Sequence, residues 1–283
     1  MMRAKDVMTK DLILAEVPSN RHDLLKIFSR YQVSGVPVVK KGTRKLVGLV
    51  TSKDLFRKFY ESQTALIMNP DPITIGPEAS LQRVVRVMTD NHIHRLLVVK
   101  AGTVQGIITP TDLLRFVIEK GSRRKVLEYV KRRCVPIYEE TPLFIAWRIL
   151  KVSNSYALPV LGRDGKLSGI ITDRDFFGVG KISGSSRGAK GFAIQNEEDV
   201  WTWEGIRNIM KHYYEVSDMD LPKVPVREVM TPDPVTVMSK TSVTTAARKM
   251  YRHNFRVLPI VDTEDNLIND ISDLEVLQVL LED

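Results

Sequence analysis

The chain has 283 residues, 43% of them hydrophobic and 27% charged, a balance typical of a globular protein with several small cores. No run of about 18 apolar residues is present and the first residues lack the apolar stretch of a signal peptide, so we expect no membrane association. The single Cys134 excludes an intrachain disulfide and favours a cytoplasmic protein, and the net charge of +8 favours anionic partners.

In chain order, the same pattern of elements occurs four times, and the first three copies are spaced about 60 residues apart. Each copy predicts a short strand, an amphipathic helix, a hairpin of two apolar strands and a second helix. The predicted α/β units have the order β-α-β-β-α. Their predicted boundaries are residues 1–62, 63–122, 123–180 and 223–283. Between the third and fourth units lies an insertion, residues 181–222.

The insertion has two parts of different composition. Residues 181–190 are rich in glycine and serine and predict a loop, whereas residues 199–216 predict an aromatic-rich helix. Such a helix could present a partner surface, or it could pack on the repeats of its own chain or of a dimer mate.

The second strand of each hairpin carries a repeated phrase, Gly-apolar-apolar-Thr-x-x-Asp, over residues 48–54, 106–112 and 169–175. The fourth copy, residues 269–275, is altered because it begins with Asn269 and its apolar run is broken by Asp270. Every copy ends in a hydroxyl and a carboxylate three residues apart. The pairs are Thr51 and Asp54, Thr109 and Asp112, Thr172 and Asp175, and Ser272 and Glu275.

Two interpretations of these pairs are compatible. A threonine or serine with an acidic residue three positions later, just before a helix, predicts a capping box. The same groups suit the ribose and phosphate of a nucleotide, because a helix start with free N–H groups also attracts anions. No Ser-His-Asp constellation and no P-loop is evident, so we expect no enzyme.

Two further motifs accompany the phrase: an apolar-Pro-Val strand before it, as at residues 36–38 and 158–160, and a Val-Met-Thr opening segment at the start of a unit, as at residues 7–9 and 229–231, with residues 68–70 as a variant. Together the three motifs resemble the cystathionine-β-synthase (CBS) domain. The resemblance covers nearly the whole chain outside the insertion. It implies two pseudo-symmetric modules of two units each, forming a disc within one chain or between two chains. It also implies similarity to the gamma subunit of the AMP-activated kinase. Family members bind adenosyl ligands between paired units and regulate other proteins.

The resemblance carries ligand roles onto individual residues. Asp54, Asp112 and Asp175 would bind ribose. Phosphate would be bound by a set of hydroxyl and basic residues, namely Thr51, Thr109, Thr172, His94, Arg95, Lys53, Arg174 and Arg256. With its His94-Arg95 pair, the second unit is the one expected to hold phosphate. Ser272 and Glu275 would form a degenerate site, because a glutamate reaches one methylene farther and would misplace a ribose contact.

The expected ligand is AMP, ADP or ATP, and the expected assembly is a homodimer that acts on an unknown protein effector. S-adenosylmethionine is an alternative ligand. A nucleic acid bound by the basic residues 123–133 is a further alternative. His92 and His94 would share one face if they lay on a strand, which suggests a metal pair, but further ligands at metal spacing are missing and we expect no metal.

Overall fold

The structure is a computed structural model that describes residues 2–31, 33–58, 61–179 and 221–282. The predicted loop over residues 181–190 and the predicted helix over 199–216 lie outside the described residues. The described residues form two bodies, one from Met1–Cys134 and Pro234–Asp283 and the other from Val135–Asp233. Units 1 and 2 and most of unit 4 belong to the first body, and most of unit 3 belongs to the second.

Each unit contains a small sheet in which the short first strand runs parallel to the second, and the second and third form an antiparallel hairpin. The strands of units 1 and 2 are β1 (Ala15–Val17), β2 (Gly35–Lys40), β3 (Leu46–Thr51), β4 (Thr74–Ile75), β5 (Leu96–Lys100) and β6 (Thr103–Ile108). Those of units 3 and 4 are β7 (Ile137–Tyr138), β8 (Ala157–Leu161), β9 (Leu167–Thr172), β10 (Thr231–Pro232), β11 (Val237–Met238), β12 (Val257–Val261) and β13 (Leu267–Ser272). The predicted hairpins are confirmed.

The helices follow the repeat as well. They are α1 (Ala4–Val7), α2 (Arg21–Tyr31), α3 (Ser52–Arg57), α4 (Thr64–Ile67), α5 (Leu81–Asp90), α6 (Pro110–Lys120), α7 (Leu143–Ser153), α8 (Asp173–Val179), α9 (Val243–His253) and α10 (Asp273–Val276). Short 3₁₀ turns lie at Val126–Glu128, Val226–Glu228 and Leu277–Leu281. The phrase helices α3, α6, α8 and α10 each begin directly after the hydroxyl residue, as the capping pattern predicts.

Units 2 and 4 share one apolar core. Helix α6 of unit 2 packs against α9 of unit 4, and α5 packs against the turn Leu277–Leu281. The amphipathic faces predicted for α5 and α9 are buried there, with Val84, Met88 and Met250 each 0% exposed. Burial of both faces in this shared core explains how two units too small to be stable alone stabilise one another.

Units 1 and 3 have cores of their own. The core of unit 1 lies between its sheet and helices α2 to α4, and includes Leu24 and Ile67. In unit 3 the Trp147 ring of α7 packs 5.1 Å from the Phe176 ring of α8, centroid to centroid. Apolar contact between the faces of a small sheet and two helices is therefore the common basis of these units.

Candidate functional site

Each repeated phrase joins a hydroxyl residue to a carboxylate at a helix start. The backbone N–H and the hydroxyl of Thr51 donate to one carboxylate oxygen of Asp54, over 2.8 and 2.6 Å. The same two bonds join the other three pairs over 2.7 to 2.8 Å. The capping interpretation is confirmed in units 1, 2 and 4, and unit 3 shows the two bonds from Thr172 to Asp175. Because both bonds use the same carboxylate oxygen, the second oxygen of each group can accept from another donor.

The opening segment of one unit lies along the phrase strand of another. The N–H of Thr9 donates to the carbonyl of Ile107 over 2.9 Å, and the N–H of Ile107 donates back over 3.1 Å. Corresponding bridges join Leu49 to Asn69 and Thr231 to Ile170. Units 1 and 2 therefore exchange their openings, and the opening of unit 4 lies on β9 of unit 3.

This exchange explains the glycine that begins the phrase. The side chains of Met8, Met68 and Met230 pass directly over Gly106, Gly48 and Gly169, respectively. A Cβ added to any of these glycines would lie closer than 3.0 Å to the methionine sulfur. The sequence showed both motifs, but their contact spans about 100 residues in one case and could not be inferred from the motifs alone.

In unit 4 the altered phrase contacts the opening segment of unit 3 through polar groups instead of a methionine-glycine contact. The side-chain amide of Asn269 accepts from the Cys134 N–H over 2.8 Å and donates to the Arg132 carbonyl over 3.1 Å. The second carboxylate oxygen of Glu275, which does not take part in the cap, accepts from the Lys131 N–H over 2.9 Å. Residues 131–134, in the opening segment of unit 3, thus bond to the phrase whose carboxylate, Glu275, corresponds to the predicted ribose ligands.

Two ionisable groups beside this segment are affected by burial. Asp270 is 1% exposed, and loss of solvation raises its pKa to about 6, although Arg132 at 3.5 Å opposes the shift and Glu275 reinforces it. Burial, together with the charge of Asp270, raises the pKa of the Cys134 thiol to about 11. Cys134 is half-buried, so its thiol is held in the unreactive protonated form at neutral pH.

Two of the predicted phosphate-binding arginines converge beside the phrase of unit 1. The guanidinium groups of Arg95, from unit 2, and Arg256, from unit 4, both donate to the hydroxyl of Ser34, the latter over 3.0 Å. Ser34 lies next to the phrase, since its carbonyl accepts from the Ser52 N–H over 3.1 Å and the next residue pairs with Thr51. The cluster of Ser34, Arg95 and Arg256 is called the arginine cluster below.

Ser34 is indicated only indirectly by the repeat pattern. It stands at the repeat position that His94 and Arg256 occupy in units 2 and 4, but a serine there carries no charge. The aliphatic part of Arg95 packs where a Cβ on Gly35 would lie, 2.5 Å from its Cδ. The Gly35 backbone therefore leaves the space through which Arg95 reaches unit 1.

His94 contacts the fourth unit. Its Nε2 lies 2.9 Å from Oδ1 of Asp273, and both side chains are nearly buried, at 6% and 4% exposure. The same Asp273 oxygen accepts from the Leu274 N–H over 2.8 Å, and the Asp273 N–H donates to the Arg256 carbonyl over 2.8 Å. This residue thus joins segments of units 2 and 4.

The remaining predicted site residues lie at their helix starts. Lys53 and Arg174 are exposed in the first turns of α3 and α8. Thr109 and Asp112 are half-buried at the start of α6, where Asp112 Oδ1 lies 3.5 Å from the Thr9 hydroxyl. Thr172 and Asp175 lie at the start of α8 in the second body.

The strand geometry considered for His92 and His94 is wrong. Helix α5 ends at Asp90, His92 adopts a left-handed φ of 51°, and β5 begins only at Leu96, so neither histidine lies on a strand. Among the described residues, no three His, Cys, Asp or Glu side chains are grouped closely enough to hold a metal ion. Within the same residues, every helix is too short or too polar to span a bilayer.

The sequence profile of the CBS domain matches four segments of the chain, residues 4–61, 65–119, 126–180 and 226–282. The chain belongs to the CBS domain family. Protein MJ1225 of Methanocaldococcus jannaschii is 26% identical to this CBS protein over 189 residues, which are 60% of this chain and 67% of MJ1225. Its crystal structure, described as that of a suggested archaeal homologue of g-AMPK, has a TM-score of 0.76 at 19% identity, with 99% of this chain and all of that chain covered.

Two further relatives show the same CBS architecture and its occurrence in a longer protein. An uncharacterized conserved protein of Pyrococcus horikoshii has a TM-score of 0.65 at 25% identity and covers 99% of this chain and 100% of its own. An inosine-5′-monophosphate dehydrogenase of Korarchaeum cryptofilum is 33% identical over 115 residues, 39% of this chain. Those residues are only 23% of the dehydrogenase, so this CBS chain spans less than a quarter of the enzyme.

Proposed function

We propose that this CBS protein is a non-catalytic regulatory module that binds an adenine nucleotide and transmits the bound state to a protein partner. The observation that carries the proposal is the arginine cluster beside the phrase of unit 1. Its two guanidinium groups bring two positive charges to Ser34, whose carbonyl accepts from the Ser52 N–H at the start of α3. The cap of that helix supplies Thr51 and Asp54, a hydroxyl and a carboxylate of the kind that bind phosphate and ribose.

In this site the second carboxylate oxygen of Asp54 accepts from the ribose hydroxyls, while Arg95 and Arg256 hold the phosphate. The Thr51 hydroxyl joins them by releasing its single hydrogen from the bond to Asp54. The sequence favoured unit 2 for phosphate. The position of the Arg95 guanidinium supports a phosphate site in unit 1 instead, with unit 2 as the donor of the charge. Asp112 and Asp175 remain candidate ribose ligands of units 2 and 3.

The cluster also favours a nucleotide over S-adenosylmethionine. The sulfonium of S-adenosylmethionine carries a positive charge, and two guanidinium groups would repel it, whereas they attract a phosphate. A module of this kind acts by linkage, because a ligand that prefers one packing of the units shifts the population toward it. The cytoplasmic location, the homodimer and the unknown effector are further parts of the proposal that rest on the sequence alone.

Binding to nucleic acid receives less support. In the basic stretch 123–133, Arg124 forms an ion pair with Glu282 at 2.9 Å and Arg132 lies 3.5 Å from the Asp270 carboxylate. Lys131 contributes its backbone to the contact with Glu275. Part of the stretch therefore serves the first body itself.

Calorimetric titration of the full chain with AMP, ADP, ATP and S-adenosylmethionine tests the proposal. We expect saturable binding of at least one nucleotide and weaker binding of S-adenosylmethionine. Failure of all four to bind would contradict the nucleotide-sensor function. Preference for S-adenosylmethionine would contradict the role of the arginine cluster.

A further inference from the structure

The altered phrase of unit 4 holds a residue, Asp273, that contacts segments of units 2 and 4. Asp273 occupies the first helical position after the cap, where units 1, 2 and 3 have Ser52, Pro110 and Asp173. Its side chain is 4% exposed and is bonded to His94 and to the Leu274 N–H. A buried carboxylate without partners would be strongly destabilising, so these bonds fix its position.

Asp273 is connected to both arginines of the cluster by no more than one residue. His94, which contacts its carboxylate, directly precedes Arg95 in the chain. The N–H of Asp273 itself donates to the carbonyl of Arg256 over 2.8 Å. One residue therefore holds the two segments from which the guanidinium groups reach Ser34.

We propose that Asp273 is a positioning residue of the nucleotide site. Its side chain, which is not part of the Ser272–Glu275 cap, orients Arg95 through His94 toward a phosphate bound at unit 1, and its backbone N–H holds the Arg256 segment toward the same phosphate. His94 belongs to this connection and acts through Asp273, not by contact with the phosphate. The inference rests on the proposed function. It gives the altered unit a role although Glu275 and the chain's own residues 131–134 fill its phrase.

The test compares AMP with adenosine, which lacks the phosphate. Asp273→Asn keeps the size of the side chain and the backbone N–H but removes the charge, and His94→Gln removes the imidazole from the other side. Loss of a charged hydrogen bond predicts about tenfold weaker AMP binding for each variant, with adenosine affinity changed by less than about twofold. Glu264→Ala is the control, because it removes one negative charge from an exposed turn of the same unit.

A second measurement does not depend on nucleotide binding. Phenylglyoxal modifies accessible arginines, and mass spectrometry reports each one separately. In Asp273→Asn we expect faster modification of Arg95 than in the parent and a smaller increase at Arg256, whose carbonyl still accepts from the retained backbone N–H, with Glu264→Ala unchanged. Asp273→Ala, if it folds, should increase both rates further.

The outcomes separate the two proposals. If the parent binds AMP while Asp273→Asn and His94→Gln lower AMP and adenosine affinity equally or not at all, the positioning role is wrong and the function stands. If the parent binds no nucleotide but the arginines become more reactive in Asp273→Asn, the proposed function is wrong and the structural connection stands. Unchanged arginine reactivity would contradict the connection.

Discussion

At the scale of single residues, one motif has taken different roles in different units. Thr51 and Asp54 form the same cap as Ser272 and Glu275, with nearly equal distances. The two caps differ in the residues that surround them. Two guanidinium groups bond to Ser34, whose carbonyl accepts from the Ser52 N–H at the first cap, whereas the Lys131 N–H donates to the second carboxylate oxygen of Glu275 at the other. The same cap therefore has different surroundings in units 1 and 4.

The buried carboxylate of Asp270 should make stability depend on pH. Its pKa of about 6 in the folded chain exceeds the ordinary value of 3.8, so the folded state holds this proton more tightly than the unfolded state. This contribution to stability is therefore lost as pH rises through the window from about 4 to 6 and stays lost above it.

Asp270→Asn cannot titrate and should not show that loss. Relative to the parent, its free energy of unfolding in urea should improve by about 1 kcal/mol between pH 5 and pH 7.5. Asp265→Asn, a matched change in an exposed hairpin turn, should leave the pH profile as it is. An Asp270→Asn profile parallel to that of the parent would show that Asp270 has an ordinary pKa.

At the scale of elements, the exchange of opening segments depends on the glycine of each phrase. In unit 3 the three nearest atoms to a Cβ on Gly169 are all in the Met230 side chain beyond its own Cβ. Gly169→Ala should therefore lower the free energy of unfolding by about 1 kcal/mol, the low end of overpacking costs, because the half-buried Met230 side chain is flexible and can shift. Urea denaturation measures this change.

Truncation of the methionine supplies the control for that prediction. In a Met230→Ala background the added methyl of Gly169→Ala has room, and its cost should fall to less than about half. Gly76→Ala, at a position where a Cβ meets nothing within 4 Å, should be close to neutral. Equal costs of Gly169→Ala in both backgrounds would show that the methionine is not what requires the glycine.

The elements themselves could largely be predicted from the sequence, and their contacts could not. Val84 and Met88 recur at helical spacing, and the phrase of Thr51 and Asp54 is a local capping signal, so periodicity and capping suffice. The bond from His94 to Asp273 joins residues 179 positions apart. No local pattern indicates it, because it depends on how α5, α6 and α9 pack, and this packing also places Arg95 at unit 1 although its motif belongs to unit 2.

At the scale of the whole molecule, charge and architecture lead to different expectations. The net charge of +8 alone would favour nucleic acid, but internal partners engage Arg124 and Arg132. We predict that an RNA or DNA oligonucleotide binds only weakly in 50 mM salt, and that Arg123→Ala with Arg133→Ala leaves AMP affinity unchanged. Tight oligonucleotide binding with a steep salt dependence, measured by fluorescence anisotropy, would favour the alternative function.

We propose that the intact phrases bind nucleotide and that the altered phrase does not. Calorimetric titration of AMP into the parent, Asp54→Ala, Asp112→Ala and Glu275→Ala tests it most directly. Loss of a charged hydrogen bond to ribose predicts about tenfold weaker binding, or loss of one site, for each aspartate variant. Glu275→Ala should bind AMP as the parent does. Weaker binding in Glu275→Ala together with unchanged binding in both aspartate variants would contradict the account.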